Sequence, residues 1–129
     1  MPKVEIRNEE NIVLARHEIR NLADELGFSI INKTRLATAV SELSRNTLVH
    51  GQGGQMVFQA LREEDRVGIQ CTFSDEGPGI ENVDEAMQEG FSTARSLGQG
   101  LPGTRRLVDD FAITSEPGKG TTVEITKWQ

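Results

Sequence analysis

The chain has 129 residues, 36% of them hydrophobic and 26% charged, with a formal net charge of −6. That length and balance predict one soluble domain over 1–129, with a core hiding about two-thirds of the unfolded surface; a two-lobed kinase or a dinucleotide enzyme with its own substrate domain would need more chain. Scattered basic residues in an acidic chain argue against nucleic acid or an anionic membrane as partner, and a lone cysteine, Cys71, excludes an intramolecular disulfide.

In chain order, residues 4–7 alternate apolar and polar side chains, the period of a short edge strand. From Asn8 to Leu26 the apolar residues Ile12, Ala15, Ile19, Leu22, Ala23 and Leu26 recur at helical spacing, and Gly27 supplies a left-handed stop. A second helix is predicted over 32–50, with Leu36, Ala39, Val40, Leu43 and Val49 on its buried face and Gly51-Gln52-Gly53-Gly54 as its end. Residues 55–61 and 66–74 alternate around the turn 62–65, a hairpin pattern. Then follow a Gly/Pro loop over 75–80, a short helix over 82–89, a loop over 91–100 and a helix over 102–111, with Pro102 suited to its first turn. Strands over 112–116 and 121–128 flank Pro117-Gly118-Lys119-Gly120 as a second hairpin. The order β-α-α-β-β-α-α-β-β predicts an α+β fold, a mixed and mainly antiparallel sheet with helices on one face. Phe91, Phe111 and Trp128 read as packing residues and Cys71 as a small core residue. No apolar run approaches the ~20 residues of a membrane span, and the N-terminus lacks the apolar stretch of a signal peptide, so the cytoplasm is expected.

Four short constellations carry possible chemistry. Glu42, Asn46 and His50 stand at i, i+4 and i+8, on one helix face roughly 100° from the buried stripe. An amide oxygen there can ligate a hard divalent cation, and a carboxylate can take a proton from an attacking hydroxyl; the same spacing also marks ordinary solvated helix faces. Asp75-Glu76-Gly77-Pro78-Gly79-Ile80 follows a strand. Its aspartate, an acceptor only, would suit an amino group and repel a carbonyl, although Asp-x-Gly-Pro-Gly is also plain turn chemistry. Gly98-Gln99-Gly100-Leu101-Pro102-Gly103 matches the dinucleotide pattern literally. It follows a loop rather than a first strand, so NAD is rejected, and what remains is a glycine-rich loop entering a helix N-terminus, where N–H groups can hold phosphate. Gly118-Lys119-Gly120-Thr121-Thr122 lacks P-loop spacing and reads as a hairpin turn.

Taken together, the order and spacing of these motifs resemble the GHKL (Bergerat-fold) ATPases over nearly the whole chain: Glu42 to Asn46 as the N box, Asp75-x-Gly77-x-Gly79, Gly98-x-Gly100 and Gly120-Thr121 as the glycine boxes. Phe91-Ser92-Thr93, the run from Leu97 to Phe111 and the closing Lys127-Trp128 are similar to the switch serine/threonine-protein kinases of the bacterial stressosome, relatives of the anti-sigma-factor kinases. The resemblance implies ATP and Mg2+ as cofactors. It implies Glu42 as general base, Asn46 as Mg2+ ligand, and Asp75 as the adenine contact, with Gly77, Gly79 and Ile80 around the base. Gly98, Gly100 and Leu101 would hold the phosphates, Thr121 would order water beside Asp75, and His50 would border the nucleotide. Residues 81–97 would form a short lid over ATP. The implied partners are STAS-domain stressosome proteins as substrate and scaffold, and a PP2C-type phosphatase activated on release.

Other readings remain beside this one. An anti-sigma-factor kinase that binds a sigma factor and a nucleotide-gated binding module without turnover fit the same boxes. His17-Glu18-Ile19-Arg20-Asn21 looks like the phosphoacceptor motif of sensor histidine kinases, but too little chain separates His17 from Glu42 for a dimerisation hairpin, so a solvent-facing histidine is expected. A gyrase- or MutL-like clamp needs a transducer domain after Gln129 and is set aside. The expectation is that the ATPase domain is the whole protein, its substrate supplied by others.

Overall fold

A computed structural model describes residues 1–79 and 97–129, those from 97 to 100 by backbone alone. The first strand, β1 (Lys3–Ile6), exposes Lys3 and Glu5 and buries Val4 and Ile6. Helix α1 (Glu9–Glu25) opens on a reciprocal cap: Asn8 accepts the Asn11 N–H, and the Asn11 side chain accepts the Asn8 N–H. Its stripe of Ile12, Ala15, Ile19 and Ala23 is buried. His17 is exposed, paired only one turn along with Asn21, as expected.

Helix α2 (Ile30–Val49) is capped by the Ser29 hydroxyl, which accepts the Asn32 N–H. Leu36, Ala37, Ala39, Val40, Leu43, Ser44 and Thr47 are buried. Val49, expected in the core, is 56% exposed. At 3.6 residues per turn it lies on the opposite side of the helix from Val40, so the stripe had already left it behind.

The hairpin of β2 (Gly54–Glu63) and β3 (Arg66–Asp75) runs in register from Glu63 opposite Arg66 to Gly54 opposite Asp75. Helix α3 (Leu97–Leu107) leads into β4 (Asp110–Glu116), which turns back into β5 (Gly120–Trp128). The expected helix over 102–111 therefore ends earlier, and Phe111 is a strand residue opposite Ile125. From Asp110 to Glu116 the side chains alternate exposed and half-buried, and that period of two wins. The expected helix over 82–89, Ile80 and Phe91 lie outside the described residues.

The sheet has five strands in the order β1-β2-β3-β5-β4. Every pairing among them is antiparallel, with no parallel pair among the described strands. One face packs under the helices: Val4, Met56, Phe73, Val123 and Ile113 form a row across it, and Phe58, Cys71, Ile125 and Phe111 the next. The other face carries Gln55, Gln59, Gln70, Thr72, Thr122 and Glu124, with the Gln59 amide donating to Gln70 at 2.8 Å. The α+β expectation with helices on one face is met.

The far end of the sheet is locked by its last residues. Lys127, buried, pairs with the Asp109 carboxylate at 3.2 Å, and the Trp128 N–H donates to the same carboxylate at 2.7 Å. The Trp128 ring covers Gly68, where a Cβ would stand 2.6 Å from it, and carries the Arg66 guanidinium 3.7 Å from its centroid, a cation–π stack.

Candidate functional site

At the opposite end of the sheet from Trp128, the inner face runs on one row beyond the apolar core. Here β2 contributes Gly54, β3 Asp75, β5 Thr121 and β4 Ser115. Alternation places these residues on the helix-facing side, in line after Phe73 and Val123. The end of α2 closes over them and leaves a cavity of about 450 Å³ of empty space, its open mouth included. Its apolar wall is Leu43, Phe73, Leu101 and Val123; its polar wall is Asn46, Thr47, His50, Asp75 and Thr121. A mostly apolar pocket with a few convergent polar groups is the usual form of a small-molecule site.

Asp75 is the best-fixed of these groups. Its Oδ1 accepts the Gly77 N–H at 2.9 Å and the Thr121 N–H at 3.2 Å. Burial pushes its carboxyl above the ordinary aspartate range, and the two N–H bonds pull part of the way back. With Oδ1 doubly engaged, Oδ2 is the oxygen left for a ligand. The loop after β3 is tied to the β4–β5 turn by the Gly118 N–H, which donates to the Pro78 carbonyl at 2.7 Å. Gly79, at φ +78°, has a left-handed backbone and lies against the Glu116 carbonyl, where a Cβ would collide.

Asn46 lies in the last turn of α2, and its backbone carbonyl accepts the N–H groups of His50 at 2.9 Å and Gly51 at 3.1 Å. Its side-chain Nδ2 is buried without a hydrogen-bond partner among the described residues. A half-turn of the amide presents oxygen in its place, so this side chain holds unspent capacity on the cavity wall. That fits a bound group, whether an oxygen ligand for a cation or a donor to phosphate. No cluster of three or more His, Cys, Asp or Glu that could hold a metal occurs among the described residues. A cation here would need oxygens from its substrate as well.

Of the sequence-predicted residues, the structure thus brings Asn46, His50, Asp75, Gly79, Leu101 and Thr121 to one cavity. Gly77 is buried beside Asp75 and serves it through its N–H. Glu42 stands one turn before Asn46, exposed and outside the cavity wall. Gly98 and Gly100 lie in the first turn of α3, not in a loop ahead of it. The first N–H groups of that turn, Gly98 among them, have no intrahelical acceptor. Pro102 falls inside the helix, where its missing N–H leaves the Gly98 carbonyl without an i+4 donor.

Sequence reasoning missed Gly51, Ser115 and, Leu101 apart, the apolar wall. Phe73 and Val123 were legible as inward strand positions, but which end of the strand meets a cavity is a tertiary fact. Ser115 shares a 2.8 Å hydroxyl contact with Thr121, a cross-strand neighbour that appears only once the β4–β5 register is known.

Comparison with known proteins agrees with this geometry. Residues 7–127 match the family described as histidine kinase-like ATPase domain. The serine/threonine-protein kinase RsbT of Bacillus subtilis is 41% identical over 97% of this chain and 94% of its own. The anti-sigma F factor of Geobacillus thermodenitrificans is 35% identical over 92% of this chain and 84% of its own. Among solved structures, the histidine kinase domain of the Erythrobacter litoralis EL346 blue-light activated histidine kinase superposes with a TM-score of 0.55 at 20% identity. It aligns with 92% of this chain, which spans 59% of that longer one, and the likeness is one of fold. With a family match from Arg7 to Lys127, nearly the whole chain, this chain belongs to the histidine kinase-like (GHKL) ATPases.

Proposed function

We propose that this chain is an ATP-dependent serine/threonine-protein kinase that phosphorylates STAS-domain stressosome proteins and, on release, activates a PP2C-type phosphatase, acting in the cytoplasm. The observation that carries the nucleotide reading is the meeting of Asp75 and Asn46 in one cavity. Asp75, an acceptor only, suits the 6-amino group of adenine and disfavours the guanine carbonyl. Gly79 leaves room for the base, and Thr121 stands beside Asp75. Asn46 would be the protein ligand of Mg2+, which when bound would neutralise charge on the phosphates. The N-terminal turn of α3, which carries Gly98 and Gly100, suits the phosphates themselves. Transfer of a phosphoryl group asks mainly for positioning and charge neutralisation, plus a base for the acceptor hydroxyl.

Glu42 would take that last task. It shares a helix face with Asn46 but faces solvent, where a hydroxyl on another protein can reach it. The protein-substrate part of the reading rests on the 41% identity to a named serine/threonine kinase across nearly all of both chains. Anti-sigma F factors at 32–35% identity support a second reading, a kinase that holds a sigma factor. Radiolabelled ATP, Mg2+ and a STAS protein decide between them. Label is expected on serine or threonine of the STAS protein with wild type and not with Glu42→Ala. Capture of a sigma factor in place of label transfer selects the second reading, and nucleotide binding with no transfer leaves a binding module.

A further inference from the structure

Gly51 is buried at the cavity wall, one residue beyond the α2 helix cap, and no motif picks it out. Its N–H is held by the Asn46 carbonyl at 3.1 Å, so its position is fixed by the end of α2. On one side of it lies Asp75. A Cβ built on Gly51 would overlap the Asp75 carboxyl carbon and Oδ2 and stand 2.6 Å from the Asp75 Cβ. On the other side lies Gly77, where a Cβ would stand 2.7 Å from the Gly51 Cα and carbonyl oxygen. The backbone of Gly51 is therefore clasped between the Asp75 side chain and the residue whose N–H holds Asp75 Oδ1. No rotamer relieves such an overlap, because the first atom of any side chain is already inside it.

We propose that Gly51 is a positioning residue for base recognition: its missing side chain lets Asp75 Oδ2 face the cavity from a seat against the end of the helix that carries Asn46. The proposal deepens the reading of Asp75 as the acceptor for the 6-amino group, and rests on it. In this arrangement the group for the base and the group for the phosphates are held in register by direct contact. Glycine makes that contact without a shift, whereas an alanine Cβ must push the carboxylate aside or lift the loop.

The test compares ATP with purine riboside triphosphate, which lacks the 6-amino group, by equilibrium binding to the intact chain. Wild type is expected to prefer ATP; absence of that preference defeats the reading of Asp75 and leaves Gly51 without a role. Given the preference, Gly51→Ala is expected to weaken ATP by about tenfold or more, some 1.4 kcal/mol, and to leave the analogue within about twofold. In an Asp75→Asn background the same change should cost little further, because the group it displaces is already lost. Equal loss for both nucleotides means that Gly51 only supports the fold, and unchanged ATP affinity means that it does not set Asp75. Either result overturns the proposal. Should Gly51→Ala fail to fold, the double variant Gly51→Ala/Asp75→Gly removes the three atoms nearest the new Cβ, the Asp75 Cγ, Oδ2 and Cβ. That variant is expected to regain a cooperative thermal transition, and failure to do so also overturns the proposal.

Discussion

Two acidic residues, Asp75 in the cavity wall and Glu42 outside it, stand in opposite environments. Glu42 is exposed at one turn from Asn46 and makes no hydrogen bond or ion pair to another described residue, so its carboxylate is open to a partner's hydroxyl. Glu42→Ala should leave ATP affinity within about twofold and lower phosphoryl transfer by ~10²–10⁴, the usual worth of a general base; binding titration beside label transfer separates the two. Asp75 is half-buried, and burial raises its carboxyl above the ordinary value. The folded chain then holds that proton more tightly than the unfolded one. As pH rises from the ordinary aspartate range through the raised value, the nucleotide-free fold loses stability, while ATP affinity should rise if Asp75 is its acceptor. Asp75→Asn should weaken ATP by about tenfold or more and flatten both slopes; melting curves with and without ATP across acidic pH show whether it does. The meeting of Asn46 and Asp75 in one cavity was legible, because both stand in short motifs whose residue types suit a binding site. Gly51 was not, because its role is a contact with a residue far along the chain, and a glycine after a helix has an ordinary explanation in helix termination.

At the scale of elements, α2 joins core and site. Leu36, Val40 and Leu43 anchor it on the sheet while Asn46 and His50, further along, reach the cavity. Leu43 is 1% exposed and belongs to both. Leu43→Ala should cost ~2–5 kcal/mol by denaturant titration and weaken nucleotide binding as well, since the same void opens under the base. The join of α3 to β4 is held by Asp109, which accepts from the Lys127 ammonium and the Trp128 N–H. Asp109→Ala should destabilise by about 1–3 kcal/mol, because it leaves a buried ammonium without its partner. The strands were readable from alternation alone, and α1 from its stripe. The end of α3 was not: Leu107, Val108 and Phe111 also satisfy helical spacing, and Phe111 joins β4 only because Ile125 is there to pair with it.

The whole molecule is a two-layer wedge with its cavity at one end and a locked corner at the other. Cys71 lies at its centre, fully buried on the inner face of β3, and burial pushes its thiol well above the ordinary cysteine range. A thiol so held is not a thiolate at neutral pH. Thiol reagents should therefore label the native chain only at the rate of its unfolding, which a denaturant series would show. The corner has an optical consequence. Trp128 is the one tryptophan in the chain. From Gly68, beneath its ring, β3 runs to Asp75, roughly 24 Å away at ~3.4 Å per residue. Its fluorescence is set by the Arg66 stack and by the solvent at that corner, so it should follow unfolding and stay silent when nucleotide binds. Stability and ligand occupancy can then be read in one cuvette, by tryptophan emission and by a label on the nucleotide, with no cross-talk between the signals.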